Sequence, residues 1–310
     1  MEEPPRVAIV RSYRSHPGPV HARAVNARRV PLARGMPVEQ AFRATMLECL
    51  AQVAGNAPAI RSRDPRGVHQ IRVGLRRLQM ALGSFGAETP ELKVLGKRGR
   101  AIAEAFGPAR ELDVFTDELL KPVMHKYAGD ESFIAFALAL RHARGEAWDD
   151  AQAEVQNPDF AEFLNDVAAA AESAPSGPKT IGKVGRRALD AHWARARKRG
   201  KRVRKTYDQR THKLRIALKK LRYAAEFFAP LYPPKKTARY IKALKVLLDR
   251  MGAANDVHGI ADTLARIGSG PDLRFAAGAV AGWHAGREKR LTKKAMQGWK
   301  DFRKRKPFWD

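Results

Sequence analysis

The chain has 310 residues, 44% of them hydrophobic, enough to build a sizeable core in one large domain or two of ordinary size. Lys and Arg number 59 against 32 Asp and Glu, a formal charge of +27, and so one-sided a balance points to nucleic acid, an anionic membrane surface or another polyanion as partner. One cysteine excludes an intrachain disulfide, and no stretch approaches the roughly 18 apolar residues that membrane insertion requires.

Residues 1–35 carry seven Arg, several Pro and few large apolar side chains, and read as a disordered basic arm or linker. The start lacks the apolar segment of a secretory signal, so a cytoplasmic protein is expected. From Met36-Pro37 the pattern turns helical. The first helix is predicted to run from Pro37 to about Asn56 and to stop at Gly55-Asn56-Ala57-Pro58. Cys49 shares its apolar face with Phe42, Met46, Leu50 and Val53, which predicts a core thiol and not a nucleophile. The next helix is predicted from after Asp64-Pro65 to Gly86. Val68, Ile71, Leu75, Leu78, Leu82 and Phe85 step along it in alternating threes and fours, the seam of a bundle. Gly74, in mid-helix, costs up to about 1 kcal/mol of propensity unless tight packing needs it.

A helix at about 90–106 is predicted to stop at Gly107-Pro108, and another to run from near Arg110 to before Pro122. Longer helices follow at about 131–156 and 158–173. Residues 130–172 hold ten acids and two Arg, so the cations concentrate elsewhere. Ser173-Ala174-Pro175-Ser176-Gly177-Pro178 is the clearest linker. Beyond it the order of elements repeats, with helices predicted at about 180–205, 209–229, 235–251, 256–267 and 272–304. No strand-like alternation appears. The fold class is therefore all-α, two helical bundles of about four to five helices each, with the arm at 1–35 and halves at about 36–172 and 179–310.

The repeat carries chemistry. Val68-His69-Gln70-Ile71-Arg72-Val73-Gly74-Leu75-Arg76-Arg77-Leu78 returns 143 residues later as Thr211-His212-Lys213-Leu214-Arg215-Ile216-Ala217-Leu218-Lys219-Lys220-Leu221. At about 100° per residue, His69, Arg72 and Arg76 fall on one flank of the apolar seam, and His212, Arg215 and Lys219 do the same. Arg222 extends the second flank, and Arg77 and Lys220 form a further matched pair. Stacked like charges repel without a counter-anion. Arg offers a planar fork for phosphate oxygens, Lys a point charge, and His a further donor. Both flanks are thus candidate anion sites. Lys97 and Arg100 find counterparts in Lys242 and Lys245, each pair shortly before a Gly-rich stop at Gly107 or Gly252. Arg110 and Asn255 fall where a new helix is predicted, and helix-start contacts are expected of Asn255-Asp256. Residues 195–205 hold eight cations in eleven positions, Arg195 and Arg199 among them, on what reads as one continuous amphipathic helix.

These motifs resemble the paired signatures of the CHAD domains (conserved histidine α-helical domains). The resemblance extends to Gly107-Pro-Ala-Arg-Glu-Leu-Asp113-Val114, Gly252-Ala-Ala-Asn255-Asp256 and Pro307-Phe308-Trp309, and covers about residues 31–310. It implies one domain of two pseudo-symmetric bundles that binds inorganic polyphosphate along a basic surface or channel and associates with polyphosphate granules. On matching positions it makes His69, Arg72, Arg76, His212, Arg215, Lys219 and Arg222 the phosphate ligands. Glu111 stands where many relatives have Asp. The triphosphate-tunnel (CYTH) module that precedes the domain in many relatives is not expected in the 35 residues ahead of the helices.

The rival reading is non-specific nucleic-acid binding through the tract at 195–205 and the arm, although no helix-turn-helix or zinc-finger spacing is present. Catalysis is not expected. No His-x-x-x-His or Glu-x-x-His pair provides metal spacing, and His69 and His212 lie among cations, so neither a metal nor a cofactor is called for.

Overall fold

The computed structural model describes residues 23–85, 89–127, 129–173, 180–204, 206–268 and 270–310. Among them the fold is all-α, with no strand beyond an isolated bridge between Pro37 and Thr180. The helices are α1 (Val38–Arg61), α2 (Pro65–Ser84), α3 (Pro90–Ala105), α4 (Gly107–Val114), α5 (Lys121–Met124), α6 (Glu131–Gln156), α7 (Pro158–Glu172), α8 (Ile181–Gly200), α9 (Gln209–Phe228), α10 (Pro234–His258), α11 (Ile260–Ile267) and α12 (Arg274–Phe302). A π-helical turn, Phe115–Leu120, separates α4 from α5. The linker expected at 173–178 lies, apart from Ser173, outside the described residues.

The chain forms two compact units. The first comprises the described residues of Met1–Arg110, Ala147–Ala188 and Phe227–Leu231. In it α1 packs along α2, α2 against α3, and α7 against α1 and α3. The predicted seam of α2 is buried, with Val68, Ile71 and Leu75 fully enclosed. Phe85 closes the core edge-on to Phe42, with ring centres 5.7 Å apart. Gly74 is required at the α1–α2 contact, since a Cβ there would stand 2.9 Å from Val53 Cγ2. Cys49 is wholly buried, and burial pushes its thiol up to about 12, which leaves it inert as a nucleophile. Arg23–Gly35 runs as irregular chain with Val30 and Leu32 buried, and Val25 exchanges backbone hydrogen bonds with the Asn56 side chain, at 3.0 and 2.9 Å.

The second unit comprises Glu111–Glu146, Leu189–Glu226 and Tyr232–Asp310. Its longest contact is α10 against α12. Leu244, Leu247 and Met251 of α10 are buried, as are Val280, Trp299 and Phe302 of α12. The chain end is tied down by rings: Tyr240 contacts Phe302, Phe308 and Trp309, and Trp309 Nε1 donates to Asp190 Oδ1 at 2.8 Å. Asp113, 1% exposed, accepts from Arg144 Nε at 2.6 Å.

Several helix ends differ from expectation. α1 continues through Pro58 to Arg61. Gly55 is small because Val25 Cγ2 would stand 3.2 Å from a Cβ there, so it marks packing and not a stop. The Gly107-Pro108 stop is only a break at Phe106, after which α4 starts at once. Pro122 opens the short α5, where a missing N–H costs nothing. Gly252 does not end a helix: α10 runs on to His258. Conversely α8 ends at Gly200 and not near 205, because Trp299 lies across it and donates its indole N–H to the Gly200 carbonyl at 3.3 Å.

Candidate functional site

In the first unit α2 opens on Asp64, whose side chain accepts from the Arg66 backbone N–H at 2.9 Å. Burial of the seam then fixes the flank. His69 is exposed, and Arg72 and Arg76 are half-buried. Arg72 reaches to the junction of α3 and α4, where its Nη1 donates to the Ala103 carbonyl. A Cβ on Gly107 would stand 3.2 Å from that same Nη1, so the glycine leaves room for the guanidinium. Lys97 and Arg100 are exposed on α3. Arg77 does not join them. Expected on the polar face, it is only 5% exposed, donates to Gln52 Oε1 at 2.8 Å, and holds its guanidinium 5.1 Å from the Phe227 ring centre. It is a satisfied core cation and not one of the solvent-facing cations of this flank.

In the second unit α9 likewise opens on an aspartate, Asp208, which accepts from the Arg210 and Thr211 N–H groups at 3.0 and 2.9 Å. His212, Arg215, Lys219 and Arg222 are half-buried and Lys220 is exposed. A Cβ on Gly252 would lie 3.9 Å from Arg215 Nη2. Each motif arginine is thus paired with the glycine of the matching Gly-rich segment, Arg72 with Gly107 and Arg215 with Gly252. Arg222 and Lys245 converge on one oxygen of Glu226, at 3.9 and 3.4 Å, and the Arg222 guanidinium stands 4.9 Å from the Tyr223 ring centre. Lys242 is exposed on α10, and Arg195 and Arg199 on α8. His192 of α8 is pushed down to about 4 by burial, reinforced by repulsion from Arg195 and Lys220. That repulsion shows cations of α8 and α9 acting on one ring.

Asn255 plays a different part from the helix-start role its sequence position suggested. Its prediction as a helix-start residue fails because α10 does not break there. It sits inside the helix with Oδ1 2.9 Å from the Tyr207 hydroxyl and 3.2 Å from His212 Nδ1. Its amide nitrogen donates to Asp256 Oδ1 at 3.3 Å. The spacing of Gly252 and Asn255, three apart and hence on one helical face, was the available signal.

Chemically, each unit offers a His and a motif arginine on a helix flank, beside a glycine that keeps backbone and guanidinium close. Such groups supply charge-assisted, directed donors to an oxyanion. Among the described residues no group of three His, Cys, Asp or Glu side chains could hold a metal ion, and no helix is long and apolar enough to cross a membrane.

Comparison with known proteins bears on this architecture. The fold matches the crystal structure of the CHAD domain from the plant Ricinus communis with a TM-score of 0.72 and 23% identity, covering 90% of this chain and 96% of that one. It also matches PptA from Streptomyces chartreusis with a TM-score of 0.63 and 14% identity, covering 87% and 100%. No curated protein matches. The CHAD domain model matches residues 44–265, which include both His-centred motifs, both Gly-rich segments and Asn255. The chain belongs to the CHAD domain family.

Proposed function

We propose that this protein binds inorganic polyphosphate without hydrolysing it. The ligands are His69, Arg72 and Arg76 on one motif helix and His212, Arg215, Lys219 and Arg222 on the other. Lys97, Arg100, Lys220, Lys242, Lys245, Arg195 and Arg199 supply the surrounding field. The observation that carries the reading is the duplicated pairing of a motif arginine with a helix-junction or helix-face glycine, Arg72 with Gly107 and Arg215 with Gly252. Membership of a family associated with polyphosphate binding and a net charge of +27 support it. In the cell the protein would sit in the cytoplasm at polyphosphate granules.

A gel-shift competition tests this. Labelled long-chain polyphosphate is bound to the protein at fixed salt, and duplex DNA or RNA is added at equal phosphate concentration. Polyphosphate is expected to stay bound. Its displacement by either nucleic acid would favour a general polyanion binder.

A further inference from the structure

The network around His212 decides which of its ring nitrogens carries a proton. Asn255 faces three partners: the Tyr207 hydroxyl at 2.9 Å, His212 Nδ1 at 3.2 Å and Asp256 Oδ1 at 3.3 Å. A carboxylate oxygen only accepts, so the amide nitrogen belongs on the Asp256 side and the amide oxygen on the other. Tyr207 is buried, and burial pushes its hydroxyl up to about 12, so it keeps its proton and donates to that oxygen. His212 Nδ1 therefore faces an acceptor and must be the protonated nitrogen. In neutral His212, Nε2 is then a bare lone pair.

A phosphate oxygen is also an acceptor. Two lone pairs do not bond, so neutral His212 in this tautomer has nothing to offer a phosphate chain through Nε2. We infer that Asn255, braced by Tyr207 and Asp256, is a positioning residue that makes His212 a proton-gated phosphate ligand, so that polyphosphate binding takes up a proton at this ring. The inference rests on the polyphosphate reading above. Charges of both signs surround the network. Asp208 and Asp256 lie on one side of the balance and Arg215 on the other, all within electrostatic reach of Tyr207. The Tyr207 ring also packs on His258, with centres 4.8 Å apart, and His258 Nδ1 lies 3.0 Å from Glu288. The first motif is built differently. Arg110 stands at the place matching Asn255, and a guanidinium carries no acceptor.

The test is calorimetric titration of the full chain with long-chain polyphosphate, whose internal phosphates hold no proton near neutrality. Two buffers of different protonation heat and equal ionic strength are compared at pH 7, and affinity is then followed from pH 6 to pH 8. The wild type is expected to take up protons on binding and to weaken as pH rises, by up to about tenfold per unit for one linked proton. His212→Gln places an amide donor near the Nε2 position at every pH. It is expected to bind with less proton uptake and a flatter pH profile. Asn255→Leu frees the ring to carry its proton on Nε2 and is expected to bind better than wild type at pH 8. If His212→Gln binds with the same proton uptake and slope as wild type, the gating is wrong while the polyphosphate reading survives. If the wild type binds no polyphosphate at either pH, the polyphosphate reading fails and the gating with it.

Discussion

The Arg72 guanidinium lies over Gly107, with Nη1 3.2 Å from the place a Cβ on that glycine would occupy. The same nitrogen donates to the Ala103 carbonyl, so the arginine is set at the α3–α4 junction from two directions. Gly107→Ala must displace the guanidinium by a few tenths of an ångström, and because the obstacle is the end of a flexible side chain the fold absorbs it. Polyphosphate affinity is expected to fall by about 1 kcal/mol, near fivefold. Thermal stability should hold or rise slightly, since Ala is the better helix former. Equal losses of affinity and stability would mean that the glycine serves packing alone.

Two glycines of α2 should respond oppositely to the same change. At Gly74 a Cβ meets Val53 Cγ2 at 2.9 Å, with the Val53 backbone behind it at 3.4 Å. Gly74→Ala is expected to cost about 1–3 kcal/mol in urea unfolding. Among the described residues nothing lies within 4 Å of a Cβ at Gly83, so Gly83→Ala should stabilise by about 0.5–1 kcal/mol.

Gly200 is more constrained still. A Cβ there would fall 2.1 Å from Trp299 Cζ2, inside a ring held by its own hydrogen bond to the Gly200 carbonyl. Gly200→Ala is expected to destabilise by at least the roughly 1–3 kcal/mol typical of overpacking, read from the urea midpoint. An unchanged midpoint would show that Trp299 can leave α8 freely.

His192 ties stability to pH. Its folded value is held near 4, below the ordinary histidine range, by burial first and by Arg195 and Lys220 second. The unfolded chain therefore binds the proton first as pH falls below about 6.5, and stability drops until the folded ring also protonates. Between pH 7 and pH 5 this one group should remove about 2 kcal/mol. His192→Asn should lose correspondingly less over the same interval in urea unfolding. Parallel losses in the two proteins would contradict the assignment.

Much of this molecule was legible in its sequence, for identifiable reasons. The α2 seam, the core position of Cys49 and the all-α class follow from helical spacing of apolar residues, which burial then enforces. Whether packing needs Gly74 was open in the sequence, and Val53 on α1 settles it. The errors at helix ends share one cause: small residues and prolines have more than one use. Gly55 admits Val25, Gly200 admits Trp299, and Pro122 starts a helical turn. None of these neighbours is close in sequence. Arg77 was misplaced because Gln52, which makes its burial tolerable, lies on a different helix. Asn255 was assigned to a helix start for the same reason, since its partners Tyr207 and His212 are more than 40 residues away.

Phosphate binding by the two motif arginines is the step on which the proposed function depends. It is tested most directly by polyphosphate affinity as a function of salt, for the wild type and for Arg72→Ala combined with Arg215→Ala. Each lost phosphate contact should lower the slope of log affinity against log salt by about one, and affinity at moderate salt should fall by at least about 2 kcal/mol. Unchanged affinity and slope in a variant that still folds would place the anion site elsewhere on this basic chain.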